Sequence, residues 1–456
     1  MIRKLLFRNF RFIYRVSRWL RYRLTPGGSL ILGGLVASGI FGIDTRQSLA
    51  FQIFAVCASL MLFAVLTTLI FRARFRLRRH LPEYATAGVP FQYKLRIENP
   101  GRRRQYDLLL IDELTERLPD YQEFITTSDP KDKNRNWLDR AIGYPRLISL
   151  IHKNRGGAIP AREIPPVPAY DMAEVDIEFV PARRGYLNFS AAYIARPDPL
   201  GLFRALRKYP LPDSQLVLPR IYPVSKLNLP GKRKYRQGGL SLASQIGDSQ
   251  EFLSLREYQP GDPLRSIHWR SYAKYGEPVV KEYQDEYFVR QGLALDTFIE
   301  HRNNNIFEEA VSVAASFQLA MEEQDSLLDL MFVGNRAYRF TSGRGFGKSA
   351  NILEVLACVE PCKDQTPESL ESLLLRHVDE LSGMVMILMD WDSIRRSMAA
   401  KLVAAGIPTI VFVLIEDSSS PGLDPGPLYE TPERLVALPM DNIETSLQKM
   451  TLELSL

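Results

Sequence analysis

His268 stands six residues after Asp262, with Glu257 upstream and Ser266 and Ser271 on either side. From such a set a general base and an orienting carboxylate could be drawn. Acyl-transfer chemistry also needs a nucleophile held against the base and donors for the developing oxyanion. Neither serine has that setting, because both lie in a run dense with charge. From Glu251 to Arg290 seven acids face six bases, and eight aromatic rings, Trp269 and Tyr272 among them, are threaded between. The near-balance predicts charges that pair over aromatic faces in a partly buried network. On this reading His268 is structural, no residue is catalytic, and a membrane-bound hydrolase using the His268 region is the alternative. A phosphate-binding surface would show an excess of one sign.

Two other motifs invite chemistry and fail on spacing. Ser342 to Ala350 reads SGRGFGKSA, but a phosphate loop needs glycine five places before its Gly-Lys-Ser, and that position is Ser342. It reads instead as a turn from strand to helix. Cys358 and Cys362 lie four apart with no second pair or nearby histidine to complete a tetrahedral metal site. With Cys57 in an apolar run, the three cysteines give no disulfide framework and suit a reducing compartment. No cofactor is expected.

Positioning starts at the membrane. Fourteen of the 58 basic residues and one of the 52 acidic ones precede His80, so the overall +6 conceals a remainder of net −7. That balance excludes a nucleic-acid partner, and the triplets Arg102–Arg104 and Lys232–Lys234 are too short to track a phosphate backbone. Residues 1–28 form a basic leader in which Arg8, Arg11, Arg15 and Arg18 recur at helical spacing among Phe12, Val16, Trp19 and Leu20. This suits a helix at the headgroups of an anionic leaflet, or a solvated leader that only fixes topology. Residues 29–71 follow as two apolar segments, Ser29–Ile43 and Ser48–Phe71, joined by Asp44 to Gln47. They read as an antiparallel hairpin of two transmembrane helices across the lipid bilayer. Eight bases before the hairpin and five after it place both ends in the cytoplasm. A four-residue external loop leaves little for a sensor to use.

The soluble part divides in rhythm. Residues 80–220 show alternation (Phe91, Tyr93, Leu95, Ile97) and further strand-like runs, which predict a small antiparallel β-sandwich of Ig-like kind. Within it, about 119–170 is rich in Pro, Asp, Lys and Gly and reads as a long insertion or mobile loop. Residues 221–290 form a charged connector. From 291 to 456 apolar strands alternate with helices at 305–323, 349–358, 367–381, 393–405 and 442–454, the pattern of a parallel sheet covered on both faces. The fold class is therefore α+β and multidomain, ending in an α/β Rossmann-like domain.

Three motifs stand in register: PARRGYLNF (Pro181–Phe189), RPDPLGLFRA (Arg196–Ala205) and REYQPGDPLRSIHWRSYAKYGEPVVKEY (Arg256–Tyr283). The last, with Arg256, Glu257, Tyr258, Gly261, Asp262, Arg265, His268, Trp269 and Lys281 in order, resembles the signature of the bacterial family known as domain of unknown function 58 (DUF58). The resemblance implies a von Willebrand factor A-like C-terminal domain, a place at the inner (cytoplasmic) membrane and an accessory, scaffold-like role in protein-protein interaction beside a MoxR-type AAA+ ATPase. It also directs attention to the end of the first strand, where type A domains hold magnesium with Asp-x-Ser-x-Ser. Here the segment is Asp296, Thr297, Phe298, Ile299, Glu300. Asp296 is retained, a phenyl ring cannot ligate a hard cation, and no metal is expected even with Asp390 and Asp392 ending another strand.

Overall fold

The computed structural model describes residues 2–41, 48–71, 74–126, 136–137, 143–224, 235–236, 251–262, 264, 267–284, 287–288, 290–298, 304–322, 327–343, 350–416 and 423–453. They form two compact units, Met1–Arg220 and Ile221–Leu456, with mixed α and β structure in both.

The first unit opens with three helices, α1 (Ile2–Arg23), α2 (Pro26–Phe41) and α3 (Ser48–Thr68). α2 and α3 contain no charged residue, and they pack side by side, Gly34 facing Cys57 and Gly39 facing the Phe54 ring. Glycine there lets the two backbones approach. Among the described residues only Leu49–Thr68 is long and apolar enough to cross a membrane, while Pro26–Ile40 is a shorter apolar helix. Sixteen residues rise about 24 Å, short of a hydrocarbon core of about 30 Å.

Next come β1 (Arg76–His80), β2 (Ala85–Thr86), β3 (Phe91–Glu98), β4 (Leu108–Leu114), α4 (Tyr121–Thr126), α5 (Tyr144–Arg155), β5 (Arg162–Ile164), β6 (Met172–Phe179), β7 (Gly185–Pro197) and β8 (Arg204–Leu218). They build a three-stranded sheet, β1-β3-β6, and a five-stranded sheet, β2-β8-β7-β4-β5. Pairing is antiparallel except between β2 and β8. The expected alternation holds in β3, whose Phe91, Tyr93, Leu95 and Ile97 are buried between exposed or half-buried neighbours. Those side chains share one core with Leu110 and Leu114 of β4 and Leu187 and Phe189 of β7. Arg79 pins the sheets together. Its buried guanidinium pairs with Asp112 at 2.6 Å, reaches Asp213 at 2.6 Å and lies 4.2 Å from the centre of the Phe189 ring. The Tyr93 hydroxyl donates to Asp112 at 2.5 Å; burial first, then the Asp112 charge, raise the phenol pKa and keep it a neutral donor.

The segment 119–170 departs from the expected loop. α5 starts after Gly143 with proline in its first turn and stops at Gly156, whose φ of 82° ends the helix. Its Leu147, Leu150 and Ile151 are buried, and Leu147 and Ile151 cluster with Phe7, Phe10 and Tyr14 of α1. The leader helix is thus part of the folded unit. Tyr14 and Arg18 add polar ties to Glu116, and Arg18 also pairs with Glu113. The Pro, Gly and charge content around this short apolar stripe hid it in the sequence.

The RPDPLGLF motif makes a second tie. Asp198 accepts backbone N–H bonds from Leu200 (2.9 Å), Leu202 (2.7 Å) and Phe203 (2.6 Å), and Gly201 takes the left-handed φ of 66° that closes the turn. The turn presents the carbonyls of Gly201 and Leu202 to Thr25, between α1 and α2. A methyl group added at Gly28 would overlap the Leu202 carbonyl oxygen.

The second unit begins with β9 (Tyr235–Arg236), β10 (Glu251–Glu257), α6 (Trp269–Tyr275), β11 (Val279–Gln284) and β12 (Tyr287–Phe288), in which β10 pairs with β11 and β9 with β12. Then follow β13 (Arg290–Leu295), α7 (Asn304–Glu322), β14 (Leu327–Val333), β15 (Ala337–Ser342), α8 (Ala350–Cys358), α9 (Pro367–Arg376), β16 (Gly383–Leu388), α10 (Ser393–Ala404), β17 (Thr409–Ile415), β18 (Leu435–Pro439) and α11 (Ile443–Glu453). The helices fall within a residue or two of the expected bounds, except that α9 ends at Arg376. β15 and β18 extend the sheet beyond the four expected strands, giving the order β15-β14-β13-β16-β17-β18 with β15 alone antiparallel.

Asp329, fully buried on β14, takes Arg290 at 2.6 Å and Arg339 at 2.8 Å. Arg339 also reaches Glu380 at 2.5 Å. That hydrogen bond, against the cost of burial and with help from His377, lowers the Glu380 pKa to about 2. A depressed carboxylate contributes stability above its unfolded pKa and loses it as pH falls through the folded value. Urea unfolding measured from pH 6 down to pH 2 is therefore expected to show stability falling below about pH 4.5, and Glu380→Gln is expected to flatten that acid limb.

Candidate functional site

In an open α/β sheet ligands bind beyond the carboxyl ends of the strands where the order reverses. Here that point lies between β13 and β16, the first running into Asp296 and the second toward Asp390 and Asp392. Asp296 is 1% exposed. Its carboxylate accepts the backbone N–H of Phe298 at 3.0 Å and of Met389 at 3.2 Å. The remaining demand is met by Arg395 on α10, whose Nε donates to Asp296 Oδ2 at 2.6 Å. The same guanidinium donates to Asp392 Oδ2 at 2.7 Å and to the Phe298 carbonyl at 3.4 Å. Asp392 caps α10 by accepting the Arg395 N–H at 2.9 Å. Burial disfavours the charge on Arg395, yet the charge and hydrogen bond of Asp296, with Asp392 and Asp390, raise its pKa.

This arrangement does not fit a divalent ion. Magnesium asks for six oxygen ligands in near-octahedral geometry. Thr297 donates its hydroxyl to the Val333 carbonyl, Phe298 supplies no side-chain oxygen, Asp390 accepts from Trp391 N–H at 2.6 Å, and Asp296 is turned onto a guanidinium. Glu300 lies outside the described residues. A cation does sit among the acids, and it belongs to the chain.

Arg395 escaped the sequence reading, although a signal for it exists. The buried stripe of α10 is Arg395, Met398, Ala399 and Leu402, so an arginine stands where helical spacing demands an apolar side chain. Such a residue requires a buried acid.

The signature region differs from expectation. Arg256 and Asp262 form a bidentate pair at 2.8 and 2.7 Å, and the Arg256 bonds with the Gln259 N–H lower the Asp262 pKa. Glu257 ends β10 exposed, Tyr258 N–H donates to the Pro278 carbonyl at 3.0 Å, Gly261 turns at a φ of 114°, and Lys281 sits opposite Leu255 on β11. Arg265 and Ser266 lie outside the described residues, as do Lys232–Lys234 and 344–349 of the glycine-rich segment. Two of the eight aromatic side chains face solvent. Trp269 is 61% exposed and Tyr272 42%, ring centres 6.0 Å apart edge to face, with Leu264 exposed on the same segment.

His268 Nδ1 lies 2.7 Å from Ser271 Oγ, one turn along α6. Asp262, the candidate orienting acid, is engaged by Arg256 instead. Among the described residues, therefore, no Asp-His-Ser relay is assembled here. Cys362 is a core thiol 3.3 Å from the Gly334 carbonyl and Cys358 is exposed, both reduced.

With Arg395 seated on Asp296, millimolar magnesium is expected to leave the melting temperature unchanged. A reproducible rise that disappears in Asp296→Ala would contradict the assignment.

Known proteins place the chain. It is 25% identical over 260 residues to the uncharacterized protein YeaD of Bacillus subtilis (strain 168), a match spanning 54% of this chain and 63%, less than two thirds, of that relative. Two solved structures are weakly similar. Proximal thread matrix protein 1 from the mussel byssus has a TM-score of 0.28 at 14% identity, over 37% of this chain and 47% of its own. A PapD-like domain of human CEP192 has 0.18 at 12%, over 32% and 86%. Residues 254–423, which hold both the exposed signature and the Asp296–Arg395 seat, match the family described as Protein of unknown function DUF58, so the chain carries a DUF58 region.

Proposed function

We propose that this protein is a membrane-anchored cytosolic scaffold that docks a MoxR-type AAA+ ATPase through its second unit. The observation that carries the reading is Arg395 on Asp296. The crevice where a doubly wound sheet ordinarily takes a ligand is filled by the protein's own cation, which leaves recognition to the surface. The strand order, with its antiparallel edge, supports a von Willebrand factor A-like reading of this unit, and the paired sheets of the first unit support an Ig-like sandwich. Type A domains that hold a metal use it to bridge to a partner's acid; a degenerate one must bind otherwise. Trp269, Tyr272 and Leu264 supply an exposed aromatic and apolar patch on the family signature, the residue types that anchor interfaces.

Anchoring follows from the charge-free α2 and α3, read as a hairpin with both ends inside a bacterial inner membrane. Eight bases before the hairpin and five after it, against Arg46 alone between its helices, favour that orientation. Full-length protein purified from detergent extract is expected to co-purify with an AAA+ ATPase, and the double variant Trp269→Ala/Tyr272→Ala to lose it while keeping its melting temperature. Absence of any AAA+ ATPase from the native capture, or its undiminished capture by the variant, would overturn the proposal.

A further inference from the structure

Between α1 and the edge of the larger sheet of the first unit lies a cavity of about 380 Å³. Arg15, Trp19, Tyr22 and Arg23 line it from the helix, and Tyr193 and Lys208 from β7 and β8. Tyr193 and Lys208 are paired across those strands, so they share a face. The walls are aromatic: Tyr22 and Tyr193 have ring centres 6.0 Å apart, and the Arg23 guanidinium lies 5.7 Å from the centre of the Trp19 ring. Arg18 also reaches the cavity, but its charge is met by Glu113 and Glu116. Arg15, Arg23 and Lys208 have no carboxylate partner among the described residues, and Arg23 Nε is buried without an acceptor. Arg23 lies over Trp19 and Phe203 and Lys208 over Tyr193, aromatic faces that do not neutralise a charge, so three cations without a described carboxylate surround one cavity and suit an anion.

The place of the cavity says which anion. Arg23 on the cavity wall ends α1, and the apolar α2 begins at Pro26, with only Leu24 and Thr25 between them, so the cavity borders the start of the apolar segment in the chain. The outer face of α1 carries Phe12, Val16 and Trp19, which are 67%, 40% and 54% exposed at helical spacing. An apolar stripe beside arginines, with tryptophan and tyrosine at its end, belongs at the level of lipid headgroups. The Asp198 turn holds this junction in place through Thr25.

We infer that the cavity binds the phosphate of an anionic phospholipid headgroup, with Arg15, Arg23 and Lys208 as its counter-charges. Burial, moderated by Arg18, raises the Tyr193 pKa, which keeps its phenol a hydrogen-bond donor toward such a phosphate. The inference rests on the membrane anchoring proposed above and extends it from charge-guided orientation to a built lipid site.

The test uses full-length protein in neutral detergent, with intrinsic tryptophan fluorescence, to which Trp19 in the cavity wall contributes, read during titration. Dihexanoyl phosphatidylglycerol, dihexanoyl phosphatidylcholine and inorganic phosphate are the three probes. Saturable binding of the first, at least tenfold tighter than the other two, is expected. Arg15→Gln and Lys208→Gln are each expected to weaken it by about fivefold, the weight of one cation at an anionic surface, with unchanged melting temperature. Phosphate binding as tightly as phosphatidylglycerol would make the site one for soluble phosphate and overturn the lipid assignment. Equal binding of both lipids, or no loss in Arg15→Gln/Lys208→Gln, would also overturn it. Resistance of vesicle-bound protein to an alkaline carbonate wash reads anchoring separately, so a failed headgroup site and a failed anchor give different results.

Discussion

Asp296 and Arg395 meet where the carboxyl ends of β13 and β16 diverge, the acid 1% and the guanidinium 7% exposed. Two ions so far from water are costly to bury, and their attraction offsets that cost only when the geometry is good and the remaining donors and acceptors are satisfied. Here they are: two backbone N–H groups complete the shell of Asp296, and Asp392 and the Phe298 carbonyl take the other arms of Arg395. The pair therefore joins β13, the turn after β16 and the first turn of α10 into one block. Its functional consequence is exclusion. A fold whose crevice commonly takes a ligand or ion carries its own cation there, while Trp269, Tyr272 and Leu264 of the signature stand exposed.

The first unit uses the same device for another end. Arg79, with Asp112, Tyr93 and Phe189, pins two sheets through the middle of their shared core. The Asp198 turn and the α1–α5 cluster fasten the helical leader and the start of α2 to that sandwich. A helix joined by a flexible linker would leave the domain that follows free to tumble. This junction, packed and hydrogen-bonded, fixes how the two sheets stand relative to α2, and it shapes the basic cavity between α1 and strands β7 and β8.

Much of this was legible in the chain because periodicity reports burial. The alternation of Phe91 to Ile97 specified a half-buried strand, and the near-continuous apolar runs of β13, β14, β16 and β17 specified a covered sheet. The short edge strands β15 and β18, only partly buried, left no such imprint. α5 was missed because twelve residues bracketed by glycine and proline look like loop until tertiary contacts are known. At the site, Asp296 was identified from its place at a strand end, yet its partner was not, since Arg395 lies 99 positions away and a charge in a helix is usually a solvated one. Its position within an apolar stripe was the available clue. In the signature, balanced charge suggested pairing in a partly buried network; Arg256 and Asp262 do pair, but Trp269 and Tyr272 face outward.

A double-mutant cycle tests most directly whether Asp296 and Arg395 act as one buried unit. Chemical unfolding of the native protein, Asp296→Asn, Arg395→Met and the double variant isolates their coupling free energy. Each single change should cost about 3–5 kcal/mol by leaving a buried charge alone, and the double variant should recover a large part of that loss. Additive losses, with a coupling near zero, would show that the guanidinium does not hold the carboxylate and would contradict the account.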